Sequence, residues 1–223
     1  MGVYQRGDVM AGPIDAVVAI HNAFRHDIEL IDTAALEAAR GKPAQEATVE
    51  RFRFFNEVLE WHAHGEDAVI FPLLESVAPS VYETYEQDHR ALDAAFDALN
   101  QAVSAHDPLE TARATKAFKF HLDLHLDKED THLYRLISER VPVPEQARAM
   151  DLMASHAPQD RFPEVVAWMF PLIGHDDRVN MTRAWQMGMP PEGFAMAVTL
   201  IEQAVGDDWP ELARQIPELV DAH

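Results

Sequence analysis

Apolar residues recur every three or four positions along the first 140 residues, which is the spacing of one face of an α-helix and not of a strand. Pro13 fits the first turn of the first helix, and Gly41 and Pro43 end it. Asp107 as N-cap, followed by Pro108, begins the last of these helices. The pattern predicts four helices, over approximately 13–39, 44–75, 82–103 and 108–139.

Short connections join the four predicted helices, and this arrangement favours an antiparallel up-down-up-down four-helix bundle. The segment VPVP, residues 141–144, ends the fourth helix, because proline disfavours helix at its own position and at the preceding one. We therefore predict an all-α protein with an N-terminal arm over residues 1–12 and a bundle over residues 13–140.

The composition of the chain changes after the bundle. Seven of the nine methionines and three of the four tryptophans follow Val141. We interpret residues 141–223 as a C-terminal module of shorter helices that packs on the bundle or forms a homodimer, and a role in signal output is the alternative. The predicted helices are 144–157, 162–173, 176–187, 191–205 and 209–219.

The chain carries a formal net charge of −20 at pH 7. This charge argues against nucleic acid and against an anionic membrane surface as partners, since both would repel the protein. No cysteine occurs, so any metal ligands must come from histidine, aspartate and glutamate. We find neither a signal-peptide core nor a run of apolar residues long enough to span a membrane, and we expect a cytoplasmic protein.

A repeated pattern of histidine and glutamate lies on the apolar faces of the four helices. The second and fourth helices each carry a His-x-x-x-Glu pair, and residues four apart lie on the same side of a helix. The first and third helices each carry a single histidine within the apolar stripe. The six residues are His21, His62, Glu66, His89, His125 and Glu129. Because both halves of the chain show the same order, the bundle should bring the six together in a pseudo-twofold site.

The chemistry of these six residues favours a metal site. Two carboxylates buried close together without a partner would repel each other or be forced to take up a proton, and a divalent metal removes that penalty. Four imidazoles and two carboxylates suit iron, manganese or zinc, and bridging carboxylates suit two metals. A lone histidine in an apolar stripe is more often a core residue, but this does not explain four histidines and two glutamates in a repeated pattern. His26 and His64 lie off the pattern, and we interpret them as solvated or as partners of the ligands.

A ferritin-like di-iron site is the rival interpretation. Such sites use Glu-x-x-His on two helices, and Glu86 with His89 and Glu129 with His132 both fit that motif. This interpretation would leave the other three histidines of the pattern in the core without a role.

Four segments together resemble the hemerythrin-like (HHE cation-binding) family in its bacterial type: IHNAFRHD, WHAHGEDAVIFPLLE, EQDHRALD and HLDLHLDKED. The resemblance covers about residues 13–140 and implies a non-haem di-iron site in the bundle. It implies that His21 and His62 bind one Fe ion and that His89 and His125 bind the other. The two glutamates of the pattern would bridge the irons, next to an oxo or hydroxo group.

Two positions depart from the oxygen-carrying members of that family. The carriers have a second histidine four residues after the one on the third helix, where this chain has Asp93. They also have a carboxylate five residues after the last histidine, where this chain has Asp130 beside Glu129. We prefer Glu129 as the ligand, because a spacing of four places it over His125. Fewer histidines leave more open positions on iron, which favours reactivity over reversible oxygen storage.

The expected function is that of a di-iron protein that reacts with or senses a small oxidant, which would be O2, peroxide or NO. Catalase-like decomposition of peroxide is the enzymatic candidate. Iron handling or gas sensing without turnover is the alternative.

Overall fold

The structure, a computed structural model, describes residues 12–42 and 46–221. These residues form helices and turns with no strand among them, which confirms the all-α fold class. The predicted N-terminal arm lies outside the described residues, apart from Gly12. No helix within the described ranges combines the length and the apolar character that crossing a bilayer requires.

The first two bundle helices begin and end close to the predicted positions. Helix α1 is Val17–Ala39 and follows a 3₁₀ turn at Pro13–Ala16. Helix α2 covers 46–77 without a break. Its three parts are Glu46–Gly65, a π-helical turn at Glu66–Ile70, and Phe71–Val77.

The other two bundle helices are also confirmed. Helix α3 is Pro79–Ser104. Helix α4 covers 108–140, and its three parts are Pro108–Lys128, a second π-helical turn at Glu129–Leu133, and Tyr134–Arg140. The carboxylate of Asp107 accepts hydrogen bonds from the backbone amides of Leu109 and Glu110 at 3.0 and 3.1 Å, so Asp107 is the predicted N-cap.

Neither π turn was predicted from the sequence. The first lies just before Pro72, whose ring would clash with the carbonyl of Ala68 in a regular α-helix. The wider turn accommodates that clash, so α2 continues through the proline. The second turn has no proline after it, so a following proline does not explain both turns.

The bundle core consists of two apolar clusters with the layer of predicted ligands between them. One cluster fills the half of the bundle toward the ends of α1 and α3, and its fully buried members include Phe24, Ile28, Phe55, Leu99, Phe118 and Leu122. The other fills the opposite half, and its fully buried members include Ile14, Ile70, Leu74, Leu133 and Ile137. The ligand layer is consequently closed above and below by apolar side chains.

Six short helices follow the bundle: α5 Val143–Ala154, α6 Phe162–Leu172, α7 His175–Gly188, α8 Pro191–Val205, α9 Trp209–Gln215 and α10 Glu218–Asp221. The single helix predicted over 209–219 is wrong, because two helices occupy that range. Ile216 adopts a non-helical conformation (φ −127°, ψ 80°), as expected for the residue before Pro217.

The C-terminal helices pack against α1. Ala16, Ala19 and Ala23 belong to the same apolar cluster as Val166 and Phe170 of α6. Polar contacts reinforce this packing. Trp168 Nε1 donates to Asp27 at 2.7 Å, Asn22 Nδ2 donates to Asp177 at 2.9 Å, and His26 Nδ1 lies 2.8 Å from the carbonyl oxygen of Leu172. Packing on the bundle, one of the two predicted roles of this module, is therefore observed, and a homodimer stays a prediction.

Helix α5 crosses α2 directly before the first π turn. Gly65 is buried, and a Cβ atom added there would lie 2.7 Å from Cγ of Met153 and 3.2 Å from its carbonyl oxygen. Because no side chain fits into that gap, glycine allows the two helices to approach at the residue before Glu66.

Candidate metal centre

The structure brings all six predicted residues together in one layer of the bundle. Each of the four helices contributes, and the two pairs come from α2 and α4. All six are buried, with relative exposures from 0% to 8%: His21, His62, Glu66, His89, His125 and Glu129. They form two overlapping groups, in each of which the candidate ligand atoms lie within 4.8 Å of one another. One group is His21, His62 and Glu66, and the other is Glu66, His89, His125 and Glu129.

Glu66 directs its two oxygens toward different histidines. Its Oε1 lies 3.2 Å from Nε2 of His62, on the same helix, and its Oε2 lies 3.4 Å from Nε2 of His89. Glu129 repeats this arrangement from the other half, with Oε1 3.3 Å from His125 Nε2 and Oε2 3.7 Å from His21 Nε2. Each carboxylate therefore spans the space between the two histidine pairs, which is the geometry of a bridge between two ions.

Both glutamates are the first residue of a π turn, and the aspartate after each of them contacts a histidine of the opposite half. Asp130 Oδ1 lies 2.7 Å from Nδ1 of His21, and Asp67 Oδ1 lies 3.0 Å from Nδ1 of His89. A carboxylate on the outer ring nitrogen fixes the tautomer and turns Nε2 toward the centre. Asp67 was not predicted in this role. The feature of the sequence that indicates it is the dipeptide Glu-Asp, which occurs after the histidine of both His-x-x-x-Glu pairs.

The two aspartates at the positions that depart from the oxygen carriers lie outside the groups. The second oxygen of Asp130 accepts a hydrogen bond from Arg25 at 2.7 Å, so both of its oxygens are engaged outside the centre. Asp93 is exposed and lies at the edge of a cavity beside His89.

Two histidines that lie off the pattern are at the surface. His64 and His26 are exposed. The ferritin-like set is not assembled, because His132 is exposed and Glu86 forms an ion pair with Arg90 at 3.0 Å.

The two buried carboxylates have opposite electrostatic environments. Burial would raise the pKa of Glu66, but His62, His21 and His89 hold that pKa well below its usual value. Burial and the neighbouring Glu66 carboxylate raise the pKa of Glu129 to about 7. The protein thus compensates one buried negative charge well and the second poorly, as expected of a site built to hold cations.

Several buried polar atoms of the centre have no hydrogen-bond partner among the described residues: Nε2 of His89 and both carboxylate oxygens of Glu129. The Nε2 atoms of His21 and His62 lie only 3.0 Å apart. Buried polar atoms are almost always paired, so four histidines and two glutamates that aim such atoms at a common space fit bound metal. The nitrogen and oxygen donors suit iron, manganese or zinc.

A tyrosine that the sequence analysis missed contacts the centre. The hydroxyl of Tyr134 donates to Oε1 of Glu66, and its ring lies edge-on against His21 with centroids 5.6 Å apart. Burial, followed by Glu66 and Glu129, raises the pKa of Tyr134 well above its ordinary value, so it holds its proton for this bond. No motif in the sequence set Tyr134 apart, since it is not part of the repeated histidine and glutamate pattern.

A cavity of about 50 Å³ adjoins the centre on one side. Four of the six candidate ligands line it: His62, Glu66, His89 and His125. Apolar side chains, among them Leu59, Phe96 and Phe118, form much of the remaining wall. The space holds a few waters or one small diatomic molecule beside the centre.

The chain is similar in sequence to proteins of one plant. Zinc finger protein BRUTUS of Arabidopsis thaliana is 27% identical over 193 residues, which covers 83% of this chain and 15% of that protein. Two proteins named BRUTUS-like from the same plant are 23% and 24% identical over 190 and 183 residues, which cover 81% and 76% of this chain. The chain spans about 15% of the length of these relatives. No solved structure matches the chain.

The relatives are plant proteins, so the expectation of a bacterial type has no support. A family model described as the hemerythrin HHE cation binding domain matches residues 12–137, more than half of the chain. The chain therefore belongs to the hemerythrin family of HHE cation binding domains.

Proposed function

We propose that this protein holds two non-haem irons in the bundle and reacts with or senses a small oxidant, which would be O2, peroxide or NO. His21 and His62 would hold one iron, and His89 and His125 the other. The two glutamates would bridge the pair together with an oxo or hydroxo group.

One observation carries the choice of two ions over one. Each glutamate directs one oxygen to the histidine on its own helix and the other oxygen to a histidine of the other pair, at 3.2–3.7 Å. A single ion would leave one histidine pair and one oxygen of each carboxylate without a partner in a buried site, which is costly.

The oxidant reactivity is supported by coordination and by access. Two imidazoles and two carboxylate oxygens would supply four protein ligands to each iron, so positions stay open for an exogenous molecule. The cavity of about 50 Å³ adjoins four of the ligands. When bound, the iron pair supplies the capacity to exchange electrons with the oxidant, while the protein holds the ligands and keeps bulk water out.

The decisive experiment counts metals and then adds oxidants. Protein purified after iron-replete expression should contain about two irons per chain and show near-ultraviolet absorption from an oxo bridge between them. A variant with Glu66→Ala and Glu129→Ala should contain far less iron, whereas the surface control Glu83→Ala should match the parent. One zinc per chain, or no metal, would contradict the proposal.

A sensor without turnover is the second candidate, and the C-terminal packing favours it. Phe24 lies between His62 and Trp168 of α6, with ring centroids 5.4 Å apart on each side. A change at His62 would thus reach the C-terminal helices through one aromatic ring. Peroxide decomposition no faster than that of free iron would remove the enzymatic candidate and favour this one.

A further inference from the structure

The cavity beside the centre connects the buried ligands to the surface. Its inner wall includes His89 and His125, and its outer wall includes Glu60 of α2 and Asp93 of α3. Both of these acids are exposed, whereas the histidines are buried. The cavity wall therefore contains ligands of the buried centre and also two exposed carboxylates from neighbouring helices.

The size of the cavity limits what passes through it. A volume of about 50 Å³ is enough for a few waters, at about 10–15 Å³ of this measure for each. A divalent cation with its complete hydration shell does not fit. Such an ion must exchange some of its waters for protein ligands at the outer end, and carboxylate oxygens are the hard donors that replace water on a divalent ion.

The electrostatics of the outer end favour a cation. Partial burial raises the pKa of Asp93; His89 and His64 act against this, and the carboxylates of Asp67 and Asp97 add to it. Asp67 and Asp97 thus add negative charge near Asp93. The net charge of −20 attracts cations to the whole molecule, but Glu60 and Asp93 are the exposed acids in the wall of the cavity, whose third acid is the buried Glu66.

We propose that this cavity is the route by which ferrous iron enters and leaves the centre, and that Glu60 and Asp93 form an outer site where the ion is held before it passes His89. The inference rests on the proposed di-iron function. Its second support, besides the two acids, is the buried Nε2 atom of His89, which has no hydrogen-bond partner and belongs to a residue in the cavity wall.

The test measures how fast iron leaves the loaded protein. Ferrous holoprotein is mixed without oxygen with a coloured ferrous chelator too large to enter the cavity, and the rate of release is recorded. The variant with Glu60→Gln and Asp93→Asn should release iron about tenfold more slowly while it keeps the same iron content. Ala63→Phe, which places a ring in the cavity wall, should also slow release without removing a charge.

Glu83→Gln is the matched control, because it removes one exposed carboxylate from the same helix ten residues before Asp93, about 15 Å along the axis. It should release iron at the parent rate. Parent-like release from both the charge variant and Ala63→Phe overturns the route. If the double variant loses iron at equilibrium, Asp93→Asn and Ala63→Phe decide the question. A parent protein without two irons would instead defeat the proposed function.

Discussion

The two sides of the metal centre differ, although the sequence pattern that builds them is nearly the same. On one side, His21 is completely buried, Tyr134 lies against its ring, and its partner Asp130 is 12% exposed and also bound by Arg25. On the other side, His89 adjoins the cavity, and its partner Asp67 is 55% exposed. We call these the closed side and the open side.

The difference comes from what packs against each side of the pseudo-symmetric site. The C-terminal helices pack on α1, which carries His21, whereas the hydrogen bonds found for α3 join it to α2 and α4. The C-terminal helices thus cover the helix that carries His21, whereas His89 adjoins the cavity, which His62 of the other pair also lines. A repeated pattern of candidate ligands makes two similar halves, and the covering of one half makes the two unequal.

Removal of the C-terminal helices should have the largest effect. A chain that ends after Pro142 uncovers Ala16, Ala19 and Ala23 and leaves Asp27 without its bond to Trp168. We expect it to aggregate or to change its oligomeric state, because an exposed apolar face associates. Size-exclusion chromatography with light scattering measures this. A truncated chain that stays soluble, unchanged in oligomeric state and equally stable would show that the covering is dispensable and that the module is independent.

Metal removal should come next, and it should act on both sides. A ligand that binds only the folded state stabilises it by about 4 kcal/mol at 1,000 times its Kd. In a protein of this size that corresponds to a fall in Tm of about 10 °C or more in the metal-free protein. Calorimetry of both forms measures the change. Hydrogen exchange should rise more in α3 than in α1, because α1 stays packed against α6; equal Tm values would contradict a buried bridged centre.

The sequence predicted much of this architecture because its signals are local. Spacings of three and four placed His62 with Glu66 and His125 with Glu129, and the Asp107 cap marked the start of α4. Those features depend on helix geometry within one turn, so the spacing of residues in the sequence is enough to predict them. The convergence of the six residues followed from the bundle topology.

The inequality of the two sides could not be read from the sequence. It depends on contacts between residues far apart in the chain, such as Trp168 with Asp27 and Tyr134 with Glu66. The π turns were missed because a helix pattern of three and four does not report one extra residue in a turn. The role of Gly65 was not predicted either, because it depends on Met153 of α5, more than 80 residues later.

Substitution of the two aspartates that contact His21 and His89 compares the sides directly. Asp130→Asn should weaken iron binding about 10- to 100-fold, the usual cost of a lost carboxylate partner of a ligating histidine. Asp67→Asn should cost less, because a 55% exposed carboxylate exchanges readily with water. Competition with a chelator gives both affinities. Equal losses would mean that exposure does not distinguish the sides.

A pair of tyrosine substitutions gives a smaller and more specific effect. Tyr134→Phe removes the hydroxyl that donates to Glu66, so the bridging carboxylate should shift and the near-ultraviolet absorption of the iron form should change. Tyr85→Phe is the control, since its hydroxyl donates to the carbonyl of Lys128 at 3.0 Å and not to a candidate ligand. The control should lose about 1 kcal/mol of stability with an unchanged spectrum. Identical spectra for all three proteins would remove Tyr134 from the centre.

Asp93→His should have the smallest effect on iron content and acts on the open side alone. The new imidazole would lie one turn after His89, where oxygen carriers have a histidine, and Asp93 already belongs to the cavity wall. We expect about two irons as in the parent, because the substitution leaves all six candidate ligands in place. The imidazole should occupy part of the 50 Å³ beside the centre and fill an open position, so the reaction with peroxide or NO should slow several-fold. Stopped-flow absorption measures that rate, with Asp97→His, one turn further along α3, as the control. Parent-like rates in both variants would show that the exogenous molecule approaches from elsewhere. The open side would then not take part in the reaction.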